Sequence, residues 1–160
     1  LQKRLGKNKK PFTVIKFRTM KISTKSLPTH LVNTNAITFF GAFLRKTKID
    51  ELPQVINYIR GDINLIGPRP GLPNQAELLK KREQNNVFHI KPGITGFAQV
   101  LGYDMSNPGV LANIDELYIK RKSFKLDLMI FIATFIKSYR QKLSLKFREE
   151  IMECEKKKND

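Results

Sequence analysis

A β-rich run from Phe12 to Met20, read with a period of two, places Phe12, Val14, Lys16 and Arg18 on one side of a predicted strand. Residues 21–36, rich in Ser, Thr, Asn and Lys, predict a loop. An apolar patch at Ile37–Thr47 fits helix and strand equally. Leu52, Val55, Ile56 and Ile59 fall at helical spacing and predict a helix from Asp50 to Arg60. Pro53 is tolerated in its first turn and Gly61 closes it. The short apolar segment Ile63–Ile66 runs into Gly67-Pro68-Arg69-Pro70-Gly71, and a second helix is predicted over Asn74–Asn85. Pro92-Gly93 has the central residues of a type II turn, followed by apolar Phe97–Val100. Ile114–Lys122 and Leu126–Tyr139 read as helices, and the charged stretch from Gln141 to Asp160 as a solvated helix or frayed end. With no internal repeat or linker, the chain reads as one domain over 1–140 with a tail over 141–160.

Composition narrows the class. A 160-residue chain with 41% hydrophobic residues can bury a real core, which excludes a disordered chain. Cys154, His30 and His89 are too few and too scattered for structural zinc, and one cysteine makes no internal disulfide, so the expected compartment is reducing. No run approaches the ~20 apolar residues of a spanning helix. The best candidate, Leu126–Ile136, is interrupted by Asp127, and no signal peptide is visible. Lys and Arg number 30 against 14 Asp and Glu, a net charge of +16, and no carboxylate precedes Asp50. Anionic partners follow from this balance: nucleic acid, an acidic membrane surface or phosphorylated small molecules.

Four features carry candidate chemistry. Asp50 and Glu51 are adjacent, and neighbours on a helix diverge by about 100°, so two carboxylates can serve different tasks around one site. A positive helix N-terminus and nearby cations would keep Asp50 ionised; alone, the residue reads as an N-cap. Arg69 between Pro68 and Pro70 presents a guanidinium on a stiff loop, suited to phosphate oxygens or simply solvated. Lys16 and Arg18 suit phosphate contacts or the protection of an edge strand. Asp115 and Glu116 repeat the carboxylate theme or are solvated. The apolar helix flanked by Lys125 and Lys137 suits a membrane surface or the core. His89 reads as structural.

In order and spacing, five stretches together resemble the bacterial sugar transferase family, the monotopic polyprenyl-phosphate phosphoglycosyl transferases. They are Lys16-Phe17-Arg18-Thr19-Met20; Leu44-Arg45 with Asp50-Glu51-Leu52-Pro53-Gln54; Gly61-Asp62 with Gly67-Pro68-Arg69-Pro70; Lys91-Pro92-Gly93-Ile94-Thr95-Gly96; and Asp115 with Ser123–Leu128. The resemblance implies an α/β fold, a small sheet region with surrounding helices, some of them amphipathic helices on a membrane surface. It implies transfer of a phospho-sugar from a UDP-sugar to polyprenyl (undecaprenyl) phosphate, with release of UMP, at the cytoplasmic face of the bacterial inner membrane. This would be the first membrane step of exopolysaccharide, capsule or O-antigen assembly. By the same resemblance Asp50 is the nucleophile and Glu51 a ligand of Mg²⁺. Lys16, Arg18, Arg45 and the Pro68-Arg69-Pro70 loop handle phosphate, and Asp115 is a further substrate-side carboxylate. Association is peripheral or monotopic on an anionic surface, a homo-oligomer is left open, and nucleic acid is not an expected partner. Family members usually begin with a re-entrant membrane helix, and Leu1 stands just after its place. Phe97 replaces a common Trp, and Leu101-Gly102-Tyr103-Asp104 replaces a stretch that often carries Gly-Arg. Two other readings are a basic nucleic-acid binding module and an inactive, truncated remnant of the transferase.

Overall fold

The structure, a computed structural model, describes residues 2–21 and 36–157. The loop expected over 21–36, apart from its two end residues, and His30 lie outside the described residues. The chain opens as an antiparallel hairpin of β1 (Gln2–Leu5) and β2 (Pro11–Val14), with Gln2 opposite Val14 and Leu5 opposite Pro11. The strand predicted to reach Met20 stops at Val14. Beyond it the main chain finds partners other than a neighbouring strand. Ile15 N–H donates to Asn57 Oδ1 at 3.0 Å and Phe17 N–H to the Asp50 carbonyl at 3.0 Å. Met20 makes only an isolated bridge to Ile37. Lys16 is consequently half-buried and Arg18 exposed, rather than both sharing one face of a sheet.

The ambiguous patch is helix α1 (Phe39–Thr47), capped by Thr38, whose hydroxyl accepts from Gly41 N–H at 2.9 Å. It closes on Lys48, a non-glycine residue in the left-handed region at φ 63°. One 3-10 turn, Ile49–Glu51, follows, and α2 (Gln54–Ile59) begins after Pro53. The single helix expected from Asp50 to Arg60 is therefore in two pieces, because Pro53 has no N–H to carry the hydrogen-bond ladder through. Asp50 caps neither piece with its side chain.

α2 is packed inside out. Its apolar stripe faces outward, with Ile59 77% exposed, while Asn57 is 0% exposed. The Asn57 amide donates to the Thr13 carbonyl at 2.8 Å and to Asp62 Oδ2 at 3.0 Å while accepting from Ile15 N–H. A buried polar side chain needs such partners, and here they stitch the polar side of α2 to the hairpin.

Parallel strands β3 (Asn64–Ile66) and β4 (Gly93–Thr95) pair Asn64 with Gly93 and Ile66 with Thr95. Parallel neighbours need a crossover, supplied by α3 (Ala76–Gln84) and a 3-10 turn at Val87–His89. Gly93 lies in this strand with no positive φ, which replaces the predicted type II turn. Its missing side chain serves close approach instead: a Cβ there would stand 2.2 Å from the Gly67 nitrogen.

The core is helical, built by α3 with α4 (Phe97–Leu101), α5 (Pro108–Arg121), α6 (Phe124–Phe135), α7 (Lys137–Lys146) and α8 (Arg148–Lys156). Asn107 and Ser123 cap α5 and α6 by accepting from Val110 and Leu126 N–H. The helix expected over Leu126–Tyr139 breaks at Ile136, where Arg140 donates to the Ala133 and Thr134 carbonyls at 2.7 Å each. Leu143, Phe147 and Ile151 are buried, and Phe147 meets Phe97 edge-on at 5.2 Å. The segment from Gln141 read as a solvated tail is thus part of the core, its charges confined to the outer faces of α7 and α8. Architecture and class agree with the expected α/β fold with a small sheet region and surrounding helices. Among the described residues no helix is long and apolar enough to cross a membrane.

Candidate active site

The break between α1 and α2 turns Asp50 and Glu51 toward the hairpin and the Pro-rich loop. Asp50 is 8% exposed and its carbonyl is tied to Phe17. Burial, and then the adjacent Glu51 carboxylate, push the Asp50 carboxyl above the usual aspartate range, against the opposing pull of Lys16, Arg45 and Lys48. The cations stand where expected from the sequence and favour the ionised form, but a single 3-10 turn adds little dipole, and burial with Glu51 sets the direction of the shift. Burial also pushes Glu51 up, but the Arg69 charge and its hydrogen bond prevail, with help from Lys48 and Lys16, and hold it below the usual range. Arg69 Nη2 donates to Glu51 Oε1 at 2.6 Å.

Arg69 reaches that position from a loop held at several points. Pro68 and Pro70 are buried. Arg82 Nη1 donates to the Arg69 carbonyl at 2.8 Å, Arg4 Nη1 to the Pro70 carbonyl at 3.0 Å, and Leu5 N–H to the Gly71 carbonyl at 3.0 Å. Arg82 is in turn fixed by Asp115, whose Oδ2 accepts from Nε at 2.9 Å and Nη2 at 2.6 Å in a pair almost wholly removed from solvent. Burial pushes the Asp115 carboxyl up against the pull of Arg82. Asp115 therefore braces the loop through Arg82, and both residues also line the adjoining cleft.

The cations here are mutually unfavourable. Burial, then Arg69 and Arg82, bring the Arg4 guanidinium down to about 10, and burial, Arg69 and Arg4 lower Lys16. Neither Arg4 nor Lys16 forms an ion pair among the described residues. Glu51, and for Lys16 also Asp50, offset this only in part, so the group still favours a further anion. Beside it opens a cleft of about 320 Å³ lined by Arg4, Lys48, Glu51 and Arg69 together with Gln99, Tyr103 and Met105 among others. The mix of cations and polar side chains suits an anionic ligand that also carries polar groups.

The structure brings together Lys16, Asp50, Glu51 and the Pro68-Arg69-Pro70 loop, of which Glu51, Arg69 and Pro70 line the cleft and Lys16, Asp50 and Pro68 do not. Arg45 stands by Asp50, its Nε donating to Thr19 Oγ1 at 2.9 Å, but does not line the cleft. Arg18 is exposed and does not line it either. Two lining residues, Arg4 and Lys48, escaped sequence reasoning. A pattern Gln2-Lys3-Arg4-Leu5 before Gly6 could have announced the hairpin; nothing local announces the left-handed Lys48. Among the described residues no three His, Cys, Asp or Glu side chains gather as a metal cage. Mg²⁺ commonly takes only one or two carboxylates with waters and substrate phosphate, and the adjacent Asp50 and Glu51 fit that donor set.

A profile of the bacterial sugar transferases matches residues 1–141. The chain is 39% identical over 133 residues to an uncharacterized sugar transferase, EpsL, of Bacillus subtilis, covering 83% of this chain and 65% of that protein. It is 33% identical over 151 residues to the UDP-glucose:undecaprenyl-phosphate glucose-1-phosphate transferase of Xanthomonas campestris, covering 88% of this chain and 31% of the relative. Likeness to the UDP-N-acetylgalactosamine-undecaprenyl-phosphate N-acetylgalactosaminephosphotransferase of Aeromonas hydrophila is 35% over 144 residues, 84% of this chain and 33% of that one. The chain thus spans less than two thirds of the length of these relatives.

Proposed function

The chain belongs to the bacterial sugar transferase family, and from that premise we propose that it transfers a phospho-sugar from a UDP-sugar to polyprenyl phosphate at the cytoplasmic face of the inner membrane. The observation that carries this reading is the buried Asp50, with Lys16 and Arg45 near it, directly followed by Glu51, which with Arg4 and Arg69 lines a cleft.

In the first step an Asp50 carboxylate oxygen attacks the sugar-proximal phosphorus. The bond from that phosphorus to the bridging oxygen breaks, and UMP leaves with the electron pair. In the second, a phosphate oxygen of the lipid attacks the same phosphorus, the aspartyl oxygen departs, and the Asp50 carboxylate is restored. Arg69, Arg4 and Lys16 neutralise the charge that both steps crowd together, and the braced loop keeps Arg69 in place without reorganisation. Glu51 would hold Mg²⁺, which supplies further charge neutralisation at the phosphates when bound. Outward Ile59 and Phe39, the latter 97% exposed, would touch the membrane, giving a peripheral or monotopic attachment.

Incubation with Mg²⁺, polyprenyl phosphate and a panel of UDP-sugars, with UMP as readout, tests this. UMP should appear with wild type, a phospho-sugar adduct should be found on the peptide containing Asp50, and Asp50→Asn should abolish both. Equal UMP release by Asp50→Asn would overturn the mechanism. A nucleic-acid binding module would instead bind nucleic acid with steep salt dependence and be indifferent to Asp50→Asn.

A further inference from the structure

A second hollow, about 230 Å³, opens next to the cleft and shares two residues with it, Lys48 and Glu51. Its walls are Leu52, Val55, Leu65, Ile94, Phe131 and Phe135, contributed by the α1–α2 connection, α2, β3, β4 and α6. Three threonines also border it, yet none offers an unmet hydroxyl. Thr47 Oγ1 donates to the Phe43 carbonyl at 2.9 Å, and the Thr95 and Thr134 hydroxyls bond one another at 2.9 Å. The groove therefore presents hydrocarbon along its length, with a cation and a carboxylate only where it meets the cleft. Several wall residues, Leu52, Val55, Leu65 and Phe135 among them, remain substantially exposed. Such a channel complements a molecule with an anionic head at Lys48 and an apolar chain behind it.

We propose that this groove seats the head-proximal isoprene units of the lipid acceptor, with Lys48 at the seam drawing the acceptor phosphate toward Asp50. The identity of the acceptor rests on the transferase reading above. The volume suits a short stretch of chain, so the remainder of the polyprenyl tail lies in the bilayer, beside outward α2 and α6. The groove is thus a binding determinant for the first units, separate from membrane attachment of the protein as a whole. The tail is apolar and the groove has no unsatisfied polar group to desolvate, so its burial there is favourable.

The test fills the groove at an exposed wall position. Leu65→Trp and Val55→Trp should each raise the KM for polyprenyl phosphate about tenfold or more, as lost apolar burial translates into affinity. The KM for a soluble phosphate with a two-isoprene chain should rise by a similar factor, while the KM for the UDP-sugar stays as in wild type, as does the partition of Leu65→Trp onto lipid vesicles. An effect confined to the long-chain acceptor would mean that these residues act through the bilayer, and would overturn the groove. Unchanged KM values for both acceptors would overturn it too. A benzophenone-bearing polyprenyl phosphate supplies a readout that needs no turnover: it should label the peptide containing Phe131 and Phe135 in wild type, and less in Leu65→Trp. Labelling elsewhere only would sink the groove even if UMP is released normally, whereas groove labelling without UMP release would sink the transferase reading and leave the groove standing.

Discussion

Asp50 and Glu51 are neighbours in sequence with opposite electrostatic fates. Burial and the adjacent carboxylate make Asp50 hold its proton more tightly than in an unfolded chain; Arg69 outweighs burial and makes Glu51 release its proton more easily. Their linkage to stability therefore has opposite signs. What Asp50 contributes is largest below the ordinary aspartate range and declines as pH rises through the window up to its raised value. The Glu51 contribution is present above the ordinary glutamate range and is lost as pH falls toward its depressed value. Carboxyl ¹³C NMR titration should find Asp50 ionising above the ordinary aspartate value, and Glu51→Gln should move it down, since one of the groups raising it is gone. An unchanged Asp50 midpoint in that variant would show that the two carboxylates do not communicate. None of this could be read from the dipeptide alone, because the sign at Asp50 depends on its burial and the sign at Glu51 on Arg69, which reaches it from 18 positions further along the chain.

At the scale of elements, α2 shows where periodicity succeeds and where it misleads. Spacing of Leu52, Val55, Ile56 and Ile59 announces a helix, and α2 is one; an apolar stripe ordinarily faces the core, and here it faces out. Asn57 decides the orientation through contacts with the hairpin, long-range in sequence and invisible to a local pattern. Asn57→Leu strands Ile15 N–H and the Thr13 carbonyl, each at about 1–3 kcal/mol, and should lower the urea midpoint sharply. Ile59→Ser, on the apolar side, should change stability by no more than about 0.5 kcal/mol. The reverse ranking would mean that α2 packs its stripe inward. The same blindness to distant partners explains the strand that stops at Val14 and the solvated tail that became α7 and α8. α3 was legible from its spacing, whereas the helix expected over Ile114–Lys122 is only the second part of α5, whose Asn107 cap and Pro108 start went unread; the stiffness of the Arg69 loop was legible because its two prolines constrain the chain locally.

For the molecule as a whole, the proposed surface attachment would draw on two distinct contributions, a charge of +16 and outward aromatic and aliphatic side chains. Lys and Arg near an anionic leaflet are worth about 1 kcal/mol each and are screened as the Debye length falls from ~10 Å at 0.1 M salt to ~3 Å at 1 M. Apolar insertion is not screened. Sedimentation with anionic vesicles should therefore show binding that weakens with NaCl but levels off above zero, and Phe39→Ser with Ile59→Ser should remove the salt-resistant remainder. Binding that vanishes entirely at high salt in wild type would assign attachment to charge alone. The backbone contact between β3 and β4 bears on a different matter. Because Gly93 and Gly67 meet main chain to main chain, any side chain at either glycine would push the two strands apart and shift the Pro68-Arg69-Pro70 loop that follows β3; where the guanidinium stands is written into the spacing of two backbones.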